Sequence, residues 1–116
     1  MPCEGSFRDE DNTVKLFRYI EENYKTATLT EAADMFYYDI YHLSREIKRK
    51  TGKNFTELLQ DKRLSHAAYL LKNTELKISD ISVSVGYENI SYFHRIFRKQ
   101  FRMSPKAYRT ANKDTF

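Results

Sequence analysis

A phrase of fourteen residues occurs twice in this chain of 116 residues. The stretch YYDIYHLSREIKRK at residues 37–50 returns in altered form as YENISYFHRIFRKQ at residues 87–100. The two halves align with an offset of 49 residues before the turn and of 50 residues after it, so the second turn is one residue longer. Because similar patterns favour similar local structure, the chain is expected to build one supersecondary unit twice.

The composition favours helices over strands. The chain has only three glycines and two prolines, while residues that form helices readily, such as Leu, Glu, Lys and Arg, are abundant. Its length suits one small domain with a modest core and excludes two large domains. The expected fold class is therefore all-α.

Apolar spacing and capping residues predict seven helices. The predicted N-terminal caps are Asp11 or Asn12, Thr30, Asp39, Ser79, Asn89 and Ser104, and the fourth helix is predicted to run from Asn54 to Leu71. The apolar face of the first helix is predicted to consist of Leu16, Phe17, Ile20 and Tyr24. Gly52 is expected to end the third helix, and Gly86 permits a left-handed turn. The expected organisation is a disordered, non-native lead-in (1–10), a first helix-turn-helix subdomain (11–53), a connecting helix (54–73), a second subdomain (74–111) and a tail (112–116).

Each copy of the repeated phrase has one apolar and one polar face. Leu43 and Ile47 match Phe93 and Phe97 at the spacing i, i+4, which predicts core positions. The opposite face carries hydrogen-bonding and cationic side chains at i, i+3, i+4 and i+7. The matched positions on that face are Tyr41 with Ser91, Ser44 with His94, Arg45 with Arg95, and Lys48 with Arg98.

A short helix, a tight turn and a second helix with such a polar stripe describe a helix-turn-helix, whose second helix enters the major groove of DNA. Arginine pairs with guanine through two hydrogen bonds, and flanking cations bind phosphates without reading sequence. Successive major-groove segments recur about every 34 Å, and a connecting helix of about 27 Å plus packed helix widths is of that order. The predicted phosphate contacts are Lys48, Arg49, Lys53, Arg98 and Lys99.

The distribution of charge supports a polyanionic ligand. Residues 1–39 carry four basic and nine acidic residues, whereas residues 40–116 carry sixteen basic and seven acidic ones. The basic part contains both copies of the phrase. A positive surface of this kind suits nucleic acid, although a solvated helix face is the alternative.

These residues resemble the C-terminal DNA-binding domain of AraC/XylS-type transcription regulators over roughly residues 11–111. The segment ISDISVSVGYENISYFHRIFRKQFRMSPKAYR is similar to the family's second repeat, and HLSREIKRKTGKNFTELL and RLSHAAYLLKNTELKISDI look like its first recognition helix and connecting helix. The resemblance implies a homeodomain-like fold of two helix-turn-helix motifs and a role in transcription regulation. It implies base-reading positions at Ile40, Tyr41, Ser44, Arg45, Ile90, Ser91, Tyr92, His94 and Arg95.

Two features depart from the family pattern. Glu46 stands where an apolar residue is usual, and Ile47 stands where a bulky Phe is usual, so the first motif is expected to pack less tightly. Ile40 and Ile90 can contact thymine methyl groups but cannot form hydrogen bonds with bases.

The predicted readers also have structural interpretations. Arg45 and Arg95 could form surface ion pairs, and the rings of Tyr41 and Tyr92 could pack at the edge of a core. His94 could be a solvated surface residue. The DNA interpretation is preferred for the arginines because Arg to guanine is the commonest specific contact.

An enzyme is not expected. His42 and Glu46 lie at i, i+4, but the sequence has no HExxH run, no cysteine pair and no glycine-rich phosphate loop. We expect no cofactor and no metal. The second hypothesis is a protein-interaction module that docks RNA polymerase or a sensory domain, and its discriminating feature would be an exposed apolar patch on the first or fourth helix.

The remaining expectations concern location and context. Cys3 is the only cysteine, and no apolar run approaches a membrane span or a signal-peptide core, so a cytoplasmic protein is expected. Family members usually carry a separate N-terminal sensory or dimerisation domain, which this sequence lacks. It is therefore interpreted as a fragment of a longer regulator, with a stand-alone regulator as the alternative.

Overall fold

Seven α-helices account for most of residues 9–112, which a computed structural model of the chain describes, with side chains from residue 12 onward. This range contains no strand, so the all-α prediction is confirmed. The helices are α1 (Asp9–Asn23), α2 (Leu29–Phe36), α3 (Ile40–Thr51), α4 (Phe55–Asn73), α5 (Ile78–Ser84), α6 (Ile90–Phe101) and α7 (Pro105–Asn112).

The chain divides into two compact units, Met1–Lys62 and Arg63–Phe116. The division falls inside α4, so that the N-terminal half of this helix belongs to the first unit and its C-terminal half to the second. That α4 connects two helix-turn-helix subdomains stays a prediction. Each unit contains one pair of short helices joined by a tight turn, α2 with α3 and α5 with α6.

The first unit buries the apolar faces of α1, α2, α3 and the start of α4 against one another. Leu43 and Ile47 are fully buried, as predicted. The predicted face of α1 is partly wrong, because Phe17 is 44% exposed and Tyr19, which the prediction left out, is only 7% exposed. Tyr19 tolerates burial because its hydroxyl donates a hydrogen bond to the Glu31 carboxylate, 2.5 Å away.

The second unit is built around α6. Phe93 and Phe97 are fully buried, as predicted, and the ring of Phe97 contacts that of Tyr108 on α7, with 5.5 Å between the centroids. Arg109 of α7 donates hydrogen bonds to the carbonyl oxygens of Leu71 (3.0 Å) and Thr74 (3.1 Å). These contacts satisfy carbonyl groups at the end of α4, which no intrahelical donor reaches.

Three predicted helix starts are corrected. Helix α1 begins at Asp9, and most of the predicted lead-in lies outside the described residues. Thr28 caps α2 in place of Thr30, because its hydroxyl accepts a hydrogen bond from the Glu31 backbone amide at 3.1 Å. Helix α5 begins one residue before Ser79, and its cap residue, Lys77, makes no side-chain hydrogen bond.

The remaining predicted caps are confirmed, and α4 has a cap that was not predicted. Asn54 and Glu57 satisfy each other's backbone amides at the start of α4 (2.8 and 2.9 Å). The Ser104 hydroxyl accepts a hydrogen bond from the Ala107 amide at 3.1 Å, directly before Pro105 opens α7. No helix in residues 9–112 is long and apolar enough to cross a membrane.

Candidate nucleic-acid interface

The turn between α2 and α3 is closed by backbone hydrogen bonds. Tyr37 ends α2 in the left-handed region, with φ 61° and ψ 34°, and its side chain is 95% exposed. The Tyr38 amide then donates to the Ala33 carbonyl oxygen, 2.9 Å away. Asp39 caps α3 by accepting a hydrogen bond from the His42 amide at 2.8 Å. These hydrogen bonds fix the direction in which α3 leaves the turn.

The turn between α5 and α6 repeats this arrangement with one more residue. Gly86 occupies the left-handed region (φ 108°), at the position that Tyr37 holds in the first unit. The Tyr87 amide donates to the Ser82 carbonyl oxygen, 2.9 Å away, and Asn89 caps α6 by accepting from the Tyr92 amide at 3.0 Å. Both units thus present their second helix through equivalent caps.

Helix α3 exposes part of the predicted reading stripe. Tyr41 is 71% exposed, Arg45 is exposed and Ser44 is half-buried. Ile40 differs, because it packs against the core of the first unit. The side chains that α3 offers to a ligand are therefore mainly Tyr41, Ser44 and Arg45.

Helix α6 exposes its predicted stripe in a similar way. Ser91 and Arg95 are exposed and His94 is half-buried. Ile90 and Tyr92 are 37% and 38% exposed, so each is only partly available to a ligand.

Aromatic contacts link α6 to its turn. The Arg95 guanidinium lies over the Tyr92 ring, 5.1 Å from its centroid, and that ring meets Tyr87 edge-on at 5.8 Å. The guanidinium of Arg63 lies over the Tyr87 ring, 5.0 Å from its centroid. In the first unit, Tyr38 stacks on His42 with centroids 4.2 Å apart.

The predicted phosphate contacts fall into two groups. Lys48, Arg98 and Lys99 are exposed and have no partner in the part of the chain that the structure describes. Arg49 instead pairs with Glu46 at 2.6 Å, and Lys53 pairs with Asp61 at 2.6 Å.

In the ion pairs of Arg49 with Glu46 and of Lys53 with Asp61, each cation is partly neutralised by a carboxylate. The hydrogen bond with Asp61 and the charge of its carboxylate raise the pKa of Lys53 above its ordinary value. Both side chains of the Lys53 and Asp61 pair are exposed, and ion pairs at such sites are weak and exchange partners readily. In the other pair Arg49 is exposed, but the Glu46 side chain is only 20% exposed.

No group of three His, Cys, Asp or Glu side chains that could hold a metal ion occurs among the described residues. Cys3 lies outside that range.

Sequence reasoning missed the contacts that hold these side chains. The Glu46 and Arg49 pair could have been found from its i, i+3 spacing. The contact of Arg63 with Tyr87 joins residues far apart in sequence, and no spacing in the sequence indicated it. The repeat did align Tyr38 with Tyr87, but not the different partners that the two rings contact.

Comparison with known proteins places this arrangement in a family. Residues 32–111 match a family model described as a helix-turn-helix domain. The chain is 37% identical over 92 residues to YijO, an uncharacterized HTH-type transcriptional regulator of Escherichia coli strain K12, in a match that covers 78% of this chain and 32% of YijO. The chain spans about a third or less of the length of the curated relatives it matches.

Two solved structures resemble the chain over nearly their whole length. The C-terminal domain of AraT, a response regulator from Geobacillus stearothermophilus, has a TM-score of 0.85 and 33% identity, with 93% of this chain and 91% of that one covered. The C-terminal domain of the two-component response regulator yesN from Fusobacterium nucleatum has a TM-score of 0.81 and 32% identity, with 86% and 99% covered. The chain therefore belongs to the AraC/XylS-type helix-turn-helix family, the DNA-binding domains of transcription regulators.

Proposed function

We propose that the chain binds duplex DNA in a sequence-specific manner, with α3 and α6 entering two adjacent major-groove segments. The observation that carries this proposal is the equivalent exposure of Arg45 and Arg95, at matching positions of two capped helices. A helix fits the major groove, and an exposed arginine near its N-terminal half can reach a base edge.

The reading side chains are proposed to act by direct contact with bases. Arg45 and Arg95 each pair with a guanine through O6 and N7, while Ser44 and His94 donate to or accept from neighbouring base edges. Tyr41 offers an exposed ring and hydroxyl in the first unit. Ile90 can contact a thymine methyl group, whereas the packing of Ile40 against the core leaves it a smaller share of the contact.

The cationic side chains are proposed to bind phosphates and to give affinity without sequence information. Lys48, Arg98 and Lys99 need no rearrangement, whereas Arg49 and Lys53 must first leave Glu46 and Asp61. With about seven phosphate contacts in total, log K should fall against log salt with a slope of roughly −6.

The proposed role needs neither catalysis nor a cofactor, because binding alone regulates access to a promoter. The chain would act in the cytoplasm, where the DNA of a bacterial-type regulator lies. The match covers only 32% of YijO, and in a longer regulator of this family we propose that a sensory or dimerisation domain controls the DNA-binding part.

The test is selection of preferred sequences from a random duplex pool at near-physiological salt. Wild type is compared with the double variant Arg45→Ala plus Arg95→Ala. A matched control, Lys15→Ala plus Lys106→Ala, removes one exposed cation from each unit outside α3 and α6. An enriched motif of two short blocks about one helical turn apart, kept by the control and lost by the arginine variant, is expected.

Two results of this selection would contradict sequence-specific binding. If wild type enriches nothing, or if the arginine variant enriches the same motif as wild type, the chain is not a sequence reader. Equal loss in the control would mean that net charge, and not the two arginines, determines binding.

The face of α1 favours a second function, docking of RNA polymerase. Val14 is 52% and Phe17 44% exposed, and they line an open depression together with Arg18, Glu21 and Glu22. Exposed apolar side chains rimmed by charges are typical of protein contacts. An activator must contact both DNA and polymerase, so this function adds to DNA binding.

This second function is tested with purified RNA polymerase holoenzyme on the selected DNA site. Val14→Ser plus Phe17→Ser should leave binding of the chain to DNA unchanged and abolish any cooperative recruitment of polymerase. Recruitment equal to that of wild type would rule out the α1 face.

A further inference from the structure

We infer that Tyr92 positions Arg95 for base reading and does not itself read a base. The inference refines the proposed function and rests on it. It begins from the guanidinium of Arg95, which lies 5.1 Å from the centroid of the Tyr92 ring on the same helix. A cation over an aromatic face is attracted by the ring's negative quadrupole.

The contact with Tyr92 leaves the hydrogen-bond donors of Arg95 available. A guanidinium carries its N–H groups in one plane and can donate two of them to the O6 and N7 atoms of a guanine. A cation–π contact attracts the charge without supplying a hydrogen-bond acceptor. It therefore restricts the rotamers of Arg95 without occupying its donors, which lowers the entropy lost on binding.

The Tyr92 ring in turn packs against Tyr87. Tyr87 meets it edge-on at 5.8 Å, and the Arg63 guanidinium lies on Tyr87 at 5.0 Å. Burial raises the pKa of Tyr87, and the hydrogen bond from Arg63 acts in the opposite direction. Tyr87 is fixed further because its backbone amide and carbonyl both bond to Ser82. We call Arg63, Tyr87 and Tyr92 the Arg95 platform.

In the described part of the first unit, the equivalent pair of rings does not contact the arginine reader. His42 stands at the position equivalent to Tyr92 and stacks on Tyr38. The side chain of Arg45, equivalent to Arg95, has no hydrogen bond, ion pair or ring contact with the rest of the described chain. The two readers thus differ in pre-organisation, and the second unit should discriminate more strictly at its guanine than the first unit does.

The first experiment uses the free protein and no DNA. Nitrogen-15 relaxation of the arginine Nε–H groups reports their order on the picosecond to nanosecond timescale. Arg95 should be more ordered than Arg45 in wild type, and Tyr92→Leu should bring Arg95 to the level of Arg45. Tyr92→Phe keeps the ring and should keep the order. If Arg95 is as mobile as Arg45 in wild type, the inference is overturned.

The second experiment measures base preference with the random duplex pool. Arg95→Ala first identifies the base pair that Arg95 reads. Tyr92→Leu should reduce preference at that same pair by roughly twofold to fivefold, while Tyr92→Phe retains it. Tyr69→Leu is the matched control, because it removes a 60% exposed tyrosine ring from the same unit, outside the platform.

The outcomes separate this inference from the proposed function. Loss of preference at a different base pair, in both Tyr92 variants, would mean that Tyr92 reads a base through its hydroxyl and would overturn the positioning role. An enriched motif that Tyr92→Leu leaves unchanged would overturn it as well. A wild type that enriches nothing would overturn the proposed function and this role with it.

Discussion

The hydroxyl of Ser82 donates a hydrogen bond to the carbonyl oxygen of Tyr87, and the two oxygens lie 2.5 Å apart. The Tyr87 amide donates in return to the Ser82 carbonyl at 2.9 Å. Ser82 is fully buried. The equivalent residue of the first unit is Ala33, which has no hydroxyl group and accepts a backbone hydrogen bond from the Tyr38 amide. The longer turn of the second unit is thus closed twice by one residue.

Replacing Ser82 by Ala should destabilise the second unit. The Tyr87 carbonyl would lose its donor in a buried site, at a cost of about 1–2 kcal/mol. Urea unfolding measures this loss, and Ser79→Ala, at an exposed site of the same helix, should change the free energy of unfolding by less than about 0.5 kcal/mol. Equal stability of the Ser82 variant and wild type would show that the hydroxyl bond is not needed.

Two opposite changes test the left-handed helix ends of the first unit. Tyr37→Gly should raise the free energy of unfolding by about 0.5–1 kcal/mol, because the left-handed conformation strains a residue with a Cβ and the 95% exposed ring loses no burial. Gly52→Ala should lower it by about 1 kcal/mol, since Gly52 has φ 81° and the only obstacle to a Cβ there is backbone strain. Both are measured by urea unfolding, and a loss of stability in Tyr37→Gly would contradict the account.

The fold was predictable because its strongest signals are local. The i, i+4 pairs Leu43 with Ile47 and Phe93 with Phe97 identified the buried faces, and all four are fully buried. The start of α2 was not predictable in this way. Thr28 and Thr30 are both candidates for the cap, and a contact distant in sequence favours Thr28, because its amide donates to the Tyr19 hydroxyl at 3.1 Å.

In the candidate site, too, exposure was predictable from the sequence and side-chain contacts were not. Periodicity alone indicated that Arg45 and Arg95 lie on exposed faces, and both do. The Tyr92 ring under Arg95 could not be inferred from periodicity, because whether an i, i+3 pair forms a contact depends on rotamers. The same holds for the ion pair of Lys53 with Asp61, which joins α4 to the segment before it.

Alkaline pH should reduce the difference in the free energy of unfolding between wild type and Tyr19→Phe. Burial, together with the hydrogen bond to Glu31, raises the pKa of Tyr19 above 10.0. A tyrosine whose pKa is higher in the folded state adds stability that is fully present below pH 10 and is lost as pH rises through the folded pKa. Tyr19→Phe should cost about 1 kcal/mol at pH 7.

The measurement is urea unfolding of both proteins between pH 7 and 11. The difference between them should shrink above about pH 10, while groups that titrate in both proteins cancel. A difference that stays constant to pH 11 would show that Tyr19 does not deprotonate with a changed pKa on unfolding.

Asp61→Asn should strengthen DNA binding without changing its sequence preference. The Asp61 carboxylate holds Lys53 at 2.6 Å, so Lys53 must exchange that carboxylate for a phosphate. Removing the carboxylate frees the cation in advance and removes a negative charge near the backbone of the DNA. Affinity at low salt should rise roughly twofold to fivefold, and the salt slope should become more negative by up to about 0.9 if one phosphate contact is gained.

Glu22→Gln is the matched control for Asp61→Asn, because it removes one exposed negative charge from α1 of the same unit. Fluorescence titration of the selected duplex at several salt concentrations gives affinity and slope for both variants. An equal gain in the two would mean that net charge alone is responsible, as long-range attraction predicts. A gain confined to Asp61→Asn would identify Lys53 as a phosphate contact that the folded chain restrains, since only that variant changes the local partner of a cation.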